Sequence, residues 1–335
     1  MTEALPPAVV VMQMLTGAWL SQTISAVTRL DVPELVGKHG PLSARELTAH
    51  GVDADAERLQ RALRACATAG IFSESEDGRF GPTPLSDALT LASPSSVKRF
   101  AELIGDRWWP LIGSLSERLR AGDAPEPAWD REEPAQTRRF GEAMKSSVQA
   151  TLGVLAGYDF SRAQTVVDVG GGFGHVATAI LRRHPHARAV VLDLPNVIAE
   201  AEQAAAAEDP RVRARLSFVA GDMFADVPAG DLYILKAIVH DWDDARCVRV
   251  LRNCRARMRN DGRILCVDSV LPPLGDTGCA SAKLLDMLML VSLPGKERTE
   301  TEWRALYDAA GLRVLAVTLV NPRSGQSIIE GAPRG

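Results

Sequence analysis

The chain has little net charge. It carries 38 Lys+Arg against 42 Asp+Glu, a balance of −4 at pH 7. That gives no reason to expect nucleic acid or an anionic membrane as a partner. Its five cysteines (66, 247, 254, 266 and 279) are odd in number and show no Cys-x-x-Cys spacing. The expectation is reduced, partly buried thiols in a cytosolic protein. No run of 18 apolar residues exists, so nothing is expected to span a membrane. The start lacks the n-region and h-region of a signal peptide, so a cytoplasmic location is expected. No internal repeat or low-complexity tract stands out. What is present is apolar material, 46% of residues, sufficient for a sizeable core. A length of 335 residues suits two domains.

Residues 8–30 read as a helix, with Val9, Val10, Met12, Met14, Leu15, Trp19, Leu20, Ile24, Val27 and Leu30. That is too apolar for a one-sided surface helix. Such a face needs a partner, and a second subunit is the candidate. Ser43 with Glu46 makes a capping box for a short helix. Asp55 caps the next, which ends at Gly70. Residues 71–80 read as a hairpin around Asp77-Gly78. Helix, helix, hairpin is the outline of a winged helix, which raises DNA binding as a rival function. Residues 1–100 hold 9 Lys+Arg against 11 Asp+Glu, and the presumed recognition helix mixes Glu57 with Arg58, Arg61 and Arg64. A DNA reader should show a basic face, so dimerisation or scaffolding is the better reading.

Residues 121–137, with three prolines, read as a connection, and a helix is expected over 138–155. From Gln164 onward strands near 165–169, 188–192, 215–220, 231–236, 263–269, 313–319 and 326–331 alternate with helices. This implies a parallel sheet with helices on both faces. Ligands bind beyond the carboxyl ends of such strands, near the switch point.

The informative stretch is 77 residues long, Asp168 to Asp244. Glycines 170, 171, 172 and 174 follow a buried strand and precede a helix, which lets the backbone approach a ligand closely. Gly172-x-Gly174-x-x-Ala177 also fits a dinucleotide fingerprint, with Asp193 placed 19 residues after Gly174 for a ribose. A dehydrogenase is therefore a competitor. Three features favour another ligand. Asp168, just before the glycines, can orient the loop or meet a cationic amine. Asp222-Met223 suits the edge and face of an adenine. Lys236, at a strand end, lies where an amino-acid carboxylate or the adenosine could sit. Adenosine at one end and an amino acid at the other describes S-adenosylmethionine.

Among six histidines, His240 is the one beside this pocket. Methyl transfer from a sulfonium needs alignment and a deprotonated acceptor. A phenol has a pKa near ~10, so a base is required at neutral pH, and histidine suits that task. A carboxylate should fix its tautomer, but periodicity does not find that partner. Asp243 and Asp244 read as a cap and first-turn acid of the next helix; a metal site from Asp241, Asp243 and Asp244 is the weaker reading, and no metal is expected.

Five motifs, Val-Asp-Val-Gly-Gly-Gly-x-Gly, Asp-Leu-Pro-x-Val, Gly-Asp-Met-Phe, His-Asp-Trp and Gly-Lys-Glu-Arg-Thr, resemble those of the small-molecule O-methyltransferases. The resemblance is to the plant caffeate and isoflavone type and bacterial natural-product relatives, and covers nearly the whole chain. It implies a winged-helix dimerisation domain (1–100), a helical connection contributing to the acceptor pocket (101–160), and an α/β class I methyltransferase domain (161–335). The last is a doubly wound, Rossmann-like sheet. The donor site then comprises Asp168, Gly170, Gly172, Asp193, Leu194, Asp222, Met223, Phe224 and Lys236. His240 becomes the general base, flanked by Asp268 and Glu297. Acceptor candidates are Trp108, Trp109, Phe140, Met144, Asp241, Met287, Met289 and Leu290, whose side chains suit a flat aromatic molecule. The implied protein is a homodimer acting on a phenolic or polycyclic aromatic metabolite. Relatives that bind the same donor but methylate nitrogen, or do other chemistry, are the alternative. Two departures from the plant pattern bear on His240: Asp268 stands where plant members carry Glu, and Pro294-Gly295-Lys296-Glu297 has one glycine where they have two.

Overall fold

The computed structural model describes residues 5–122, 125–155, 157–322 and 324–334, without the side chains of 146–154 and 260. Positions 123 and 124 of the expected connection lie outside the described residues. The chain divides into two compact units, Met1–Pro110 with Glu142–Ser146, and Leu111–Gly141 with Ser147–Gly335.

The first unit runs α1 (Pro7–Arg29), α2 (Val32–His39), β1 (Leu42–Ser43), α3 (Ala44–Ala49), α4 (Ala56–Thr68), β2 (Ser73–Glu74), β3 (Arg79–Gly81), α5 (Pro84–Asp87) and α6 (Lys98–Leu103). Both expected caps form: Ser43 and Glu46 exchange bonds in a capping box, and Asp55 accepts from the Arg58 N–H. The hairpin pairs antiparallel and gains β1 as a third strand, order β1-β3-β2. Val36, Leu47, Leu63, Phe72 and Phe80 fill the core between them. On α1, Val9, Val11, Met12, Met14, Leu15 and Trp19 remain exposed, Trp19 at 71%.

The second unit contains α7 (Trp109–Gly113, which begins in the first unit), α8 (Leu115–Ala121), α9 (Pro134–Leu155, shared between the units), β4 (Thr165–Val169), α10 (His175–Arg183), β5 (Arg188–Asp193), α11 (Pro195–Ala205), α12 (Pro210–Arg213), β6 (Leu216–Ala220), β7 (Gly230–Lys236), α13 (Asp244–Arg257), β8 (Met258–Leu271), α14 (Ala280–Ser292), β9 (Arg298–Thr299), α15 (Glu300–Ala309), β10 (Leu312–Asn321) and β11 (Gln326–Pro333). The sheet order is β10-β11-β8-β7-β4-β5-β6, with β9 pairing β8. Val166, Val167 and Val169 are wholly buried, as β-branched residues of a strand covered on both faces should be.

The expected doubly wound sheet is present, and its parallel reading needs correction at one edge. β6, β5, β4, β7 and β8 are parallel, but β11 lies antiparallel to both β8 and β10. The four residues 322–325 between β10 and β11 are too few for a helical crossover and suffice for a hairpin. Strand order reverses around β4, whose neighbours are β5 and β7. The crevice for a ligand therefore opens where β4 and β7 end. The glycines follow one of these strands, and Lys236 ends the other.

Candidate functional site

β4 delivers Asp168 and then breaks into the glycine loop. The Asp168 carboxylate accepts the Ala177 N–H at 3.3 Å, so it braces the first turn of α10. Burial pushes its carboxyl up to about 7; the Ala177 N–H opposes this and Asp193 adds to it. Gly170 has φ +65° and lies under Ile238, since a Cβ there would stand 2.4 Å from the Ile238 Cδ1. The glycine loop and the turn after β7 are thus packed together. Asp193, at the end of β5, accepts the Gly172 N–H at 2.8 Å and the Leu194 N–H at 2.8 Å. Burial raises its carboxyl against both of those bonds. Each carboxylate oxygen retains acceptor capacity for a diol.

After β6, Asp222 accepts the Phe224 N–H at 2.8 Å, which makes it a turn residue as well as a ligand candidate. Asn253 of α13 holds the Met223 carbonyl at 2.8 Å. Phe224 meets Trp242 edge-on, ring centroids 4.8 Å apart, and so joins the Gly-Asp-Met-Phe motif to His-Asp-Trp. Burial pulls the Lys236 ammonium pKa down, while Asp268, Asp168 and Asp241 pull it up.

His240 sits in the 3-10 turn Val239–Asp241 and is buried. Its Nδ1 lies 2.7 Å from Glu297 Oε1, and its Nε2 lies 3.3 Å from Asp241 Oδ1. Asp268 stops 3.9 Å from Nδ1, and neither of its oxygens has a hydrogen-bond partner. Burial lowers the imidazole pKa, but Asp268, Asp241 and Glu297 outweigh it and raise it to about 10. Burial also pushes Asp268 up to about 7 and Asp241 up to about 6, both opposed by His240. The basic neighbours of Glu297 pair with other acids: Lys296 with Glu302 and Arg298 with Asp244. Asp243 caps α13 through the Arg246 N–H, as expected.

The acceptor candidates divide. Phe140 packs on Trp129 at 5.1 Å, and Met287, Met289 and Leu290 lie on α14. Met289 is 6% exposed and so faces core. Trp108 and Met144 belong to the other unit, where Trp108 meets Phe100 edge-on. Asn196, the variable position of the Asp-Leu-Pro-x-Val motif, has no role that the sequence signals. Asn196 donates to the Trp129 carbonyl at 2.8 Å and tethers the segment before α9 to α11. Arg138 of α9 and Glu200 of α11 add an ion pair.

Two family models match this chain. Residues 126–313 match an O-methyltransferase domain and residues 12–92 an O-methyltransferase dimerisation domain. The chain belongs to the O-methyltransferase family. A phenazine O-methyltransferase from Lysobacter antibioticus is 36% identical, over 98% of this chain and 97% of its own. The human N-acetylserotonin methyltransferase, solved with S-adenosylmethionine, is 27% identical with TM-score 0.88 and covers 100% of both chains. An N,N-8-amino-8-demethyl-D-riboflavin dimethyltransferase from Streptomyces davawensis is 28% identical, TM-score 0.78, covering 98% of this chain and 100% of its own. Methyl-donor chemistry replaces the dehydrogenase reading. In this O-methyltransferase the expected winged helix coincides with the dimerisation match. No helix among the described residues is long and apolar enough to cross a membrane.

Proposed function

We propose that this S-adenosylmethionine-dependent O-methyltransferase methylates a phenolic or polycyclic aromatic hydroxyl of a secondary metabolite, with His240 as general base. One observation carries the reading: a buried imidazole, gripped at Nδ1 by Glu297 at 2.7 Å, stands two residues after Ile238, whose side chain covers Gly170 of the glycine loop.

The donor fits the residues present. A Cβ at Gly172 would meet nothing within 4 Å, so the loop borders open space beside Asp193. Asp193 would hold the ribose, Asp222 and Met223 the adenine, and Asp168, Leu194, Phe224 and Lys236 would complete the pocket. When bound, S-adenosylmethionine supplies a methyl carbon made electrophilic by its sulfonium. The protein supplies alignment, worth up to about 7–11 kcal/mol of barrier, and a base, worth ~10²–10⁴-fold.

His240 Nε2 takes the acceptor proton, and Glu297 at Nδ1 fixes the tautomer and stabilises the imidazolium. An imidazole raised to about 10 is close to a phenol's own pKa of ~10, so proton transfer between them is nearly thermoneutral. Asp241 stands beside Nε2 and would orient the acceptor hydroxyl.

The test is a panel of phenols, each paired with the matching aniline, on parental protein and His240→Ala. The reading expects turnover on the phenols, lost in the variant while S-adenosylhomocysteine still binds. Unchanged turnover in the variant would sink the base. Preference for anilines would favour the N-methyl alternative, which the riboflavin-type dimethyltransferase neighbour supports. We further infer a homodimer through the exposed face of α1, as the dimerisation match suggests. Trp19→Asp with Met14→Asp should halve the mass seen by light scattering.

A further inference from the structure

Arg298 is 1% exposed. Its Nη1 donates to the Val239 carbonyl at 2.9 Å and its Nη2 to the Trp242 carbonyl at 2.8 Å. These carbonyls lie on the two sides of His240. Nε and Nη2 also donate to Asp244 Oδ1, at 3.0 and 2.7 Å, which anchors the fork to the start of α13. The preceding residue, Glu297, holds the imidazole itself. Its own N–H is held in turn by Asp286 of α14 at 2.8 Å. Gly295 lies flush against the same turn: a Cβ there would stand 2.0 Å from the His240 carbonyl oxygen. Residues 295–298 therefore grip both the ring and the backbone of His240.

We propose that Arg298 is a positioning residue for the methyl transfer, locking the His240 turn so that the imidazole keeps its aim. The proposal rests on His240 being the base. The chemistry requires arginine. Two carbonyls on opposite sides of a turn need a planar, permanently charged fork, and a lysine ammonium is a single point. A turn released on one side can pivot, and a misplacement of about 1 Å costs on the order of 100-fold in rate. Asp241, Asp268 and Glu297 surround the imidazole, Lys236 acts on Asp241 and Asp268, and Arg298 with Asp244 lies behind its backbone. Looser packing should therefore also move its titration.

The experiment uses the full chain with Arg298→Lys and Asp244→Ala; because Asp244 is the carboxylate paired with the buried Arg298, each variant is first shown to unfold cooperatively before its rates are read. Measured are kcat on the best phenol of the panel, S-adenosylhomocysteine affinity, and the ¹⁵N-edited imidazole signals of His240 across pH. Arg298→Lys should lower kcat about 10- to 100-fold with donor affinity unchanged, and Asp244→Ala by a smaller factor. In both, the His240 Nδ1–H signal should shift and its titration midpoint should move. In a His240→Gln background, Arg298→Lys should add no further loss, because the two act as one unit. Parental turnover and an unmoved imidazole signal in either variant would overturn the proposal, as would losses that multiply in the double variant. Parental turnover in His240→Gln would instead overturn the base reading, while the imidazole signal would still report whether Arg298 holds the ring.

Discussion

Asp193 is held by the N–H groups of Leu194 and Gly172, one and 21 residues away, whereas His240 is held by Glu297, 57 residues on, and by Arg298 beyond it. The proposed donor half of the site is thus made by strand ends and the loops that follow them. The proposed base half is made by a segment that returns from the far side of α13 and α14. A local arrangement survives wherever its strand forms. A distant one depends on the whole sheet closing, and its parts can be loosened separately.

The largest effect separating the halves is His240→Ala. Turnover should fall ~10²–10⁴-fold with S-adenosylhomocysteine affinity unchanged, measured by initial rates and calorimetry. Next is Glu297→Gln, which keeps the shape but removes the charge facing Nδ1. A hydrogen bond to a charged group is worth about 1.5–3 kcal/mol, so kcat should drop roughly 10- to 100-fold. Asp268→Asn should cost less, because that carboxyl stands 3.9 Å off and makes no hydrogen bond. The reverse order would mean that Asp268, not Glu297, orients the ring.

Asp193→Ala tests the other half. It should weaken S-adenosylhomocysteine by about 10- to 100-fold, on the same charged-bond scale, and leave the pH profile of kcat in place. The last prediction is the profile itself. A base works neutral, and the acids around His240 raise its pKa to about 10. The neutral fraction therefore grows with pH, and kcat/KM should climb from pH 7 toward 10. Glu297→Gln removes one of those charges and should move the midpoint to lower pH. A profile flat above pH 7 would show that the acids do not raise the imidazole.

The same contrast explains what could be read in advance. The strands β4 to β8, the capping box at Ser43 and the hairpin at Asp77-Gly78 follow from patterns within a few residues. So does the run of motifs at the strand ends, since each lies where its own strand stops. Glu297 and Asp268 were reached only through the family resemblance, because no periodicity links them to His240. The bonds of Arg298 to the Val239 and Trp242 carbonyls carry no sequence signature. The strand at 326–331 was legible but its antiparallel direction was not, because an apolar strand does not announce its direction.

The sequence by itself determined the alternation of strands and helices, the glycine turn after β4 and the acids that follow each strand, because side-chain period and turn chemistry act over one to four residues. The apolar face of α1 was also written there. Tertiary structure alone decided which carboxylate touches His240, what burial does to the acids around it, and what grips the turn. Those depend on distances between residues nearly sixty positions apart, which exist only once the sheet has assembled.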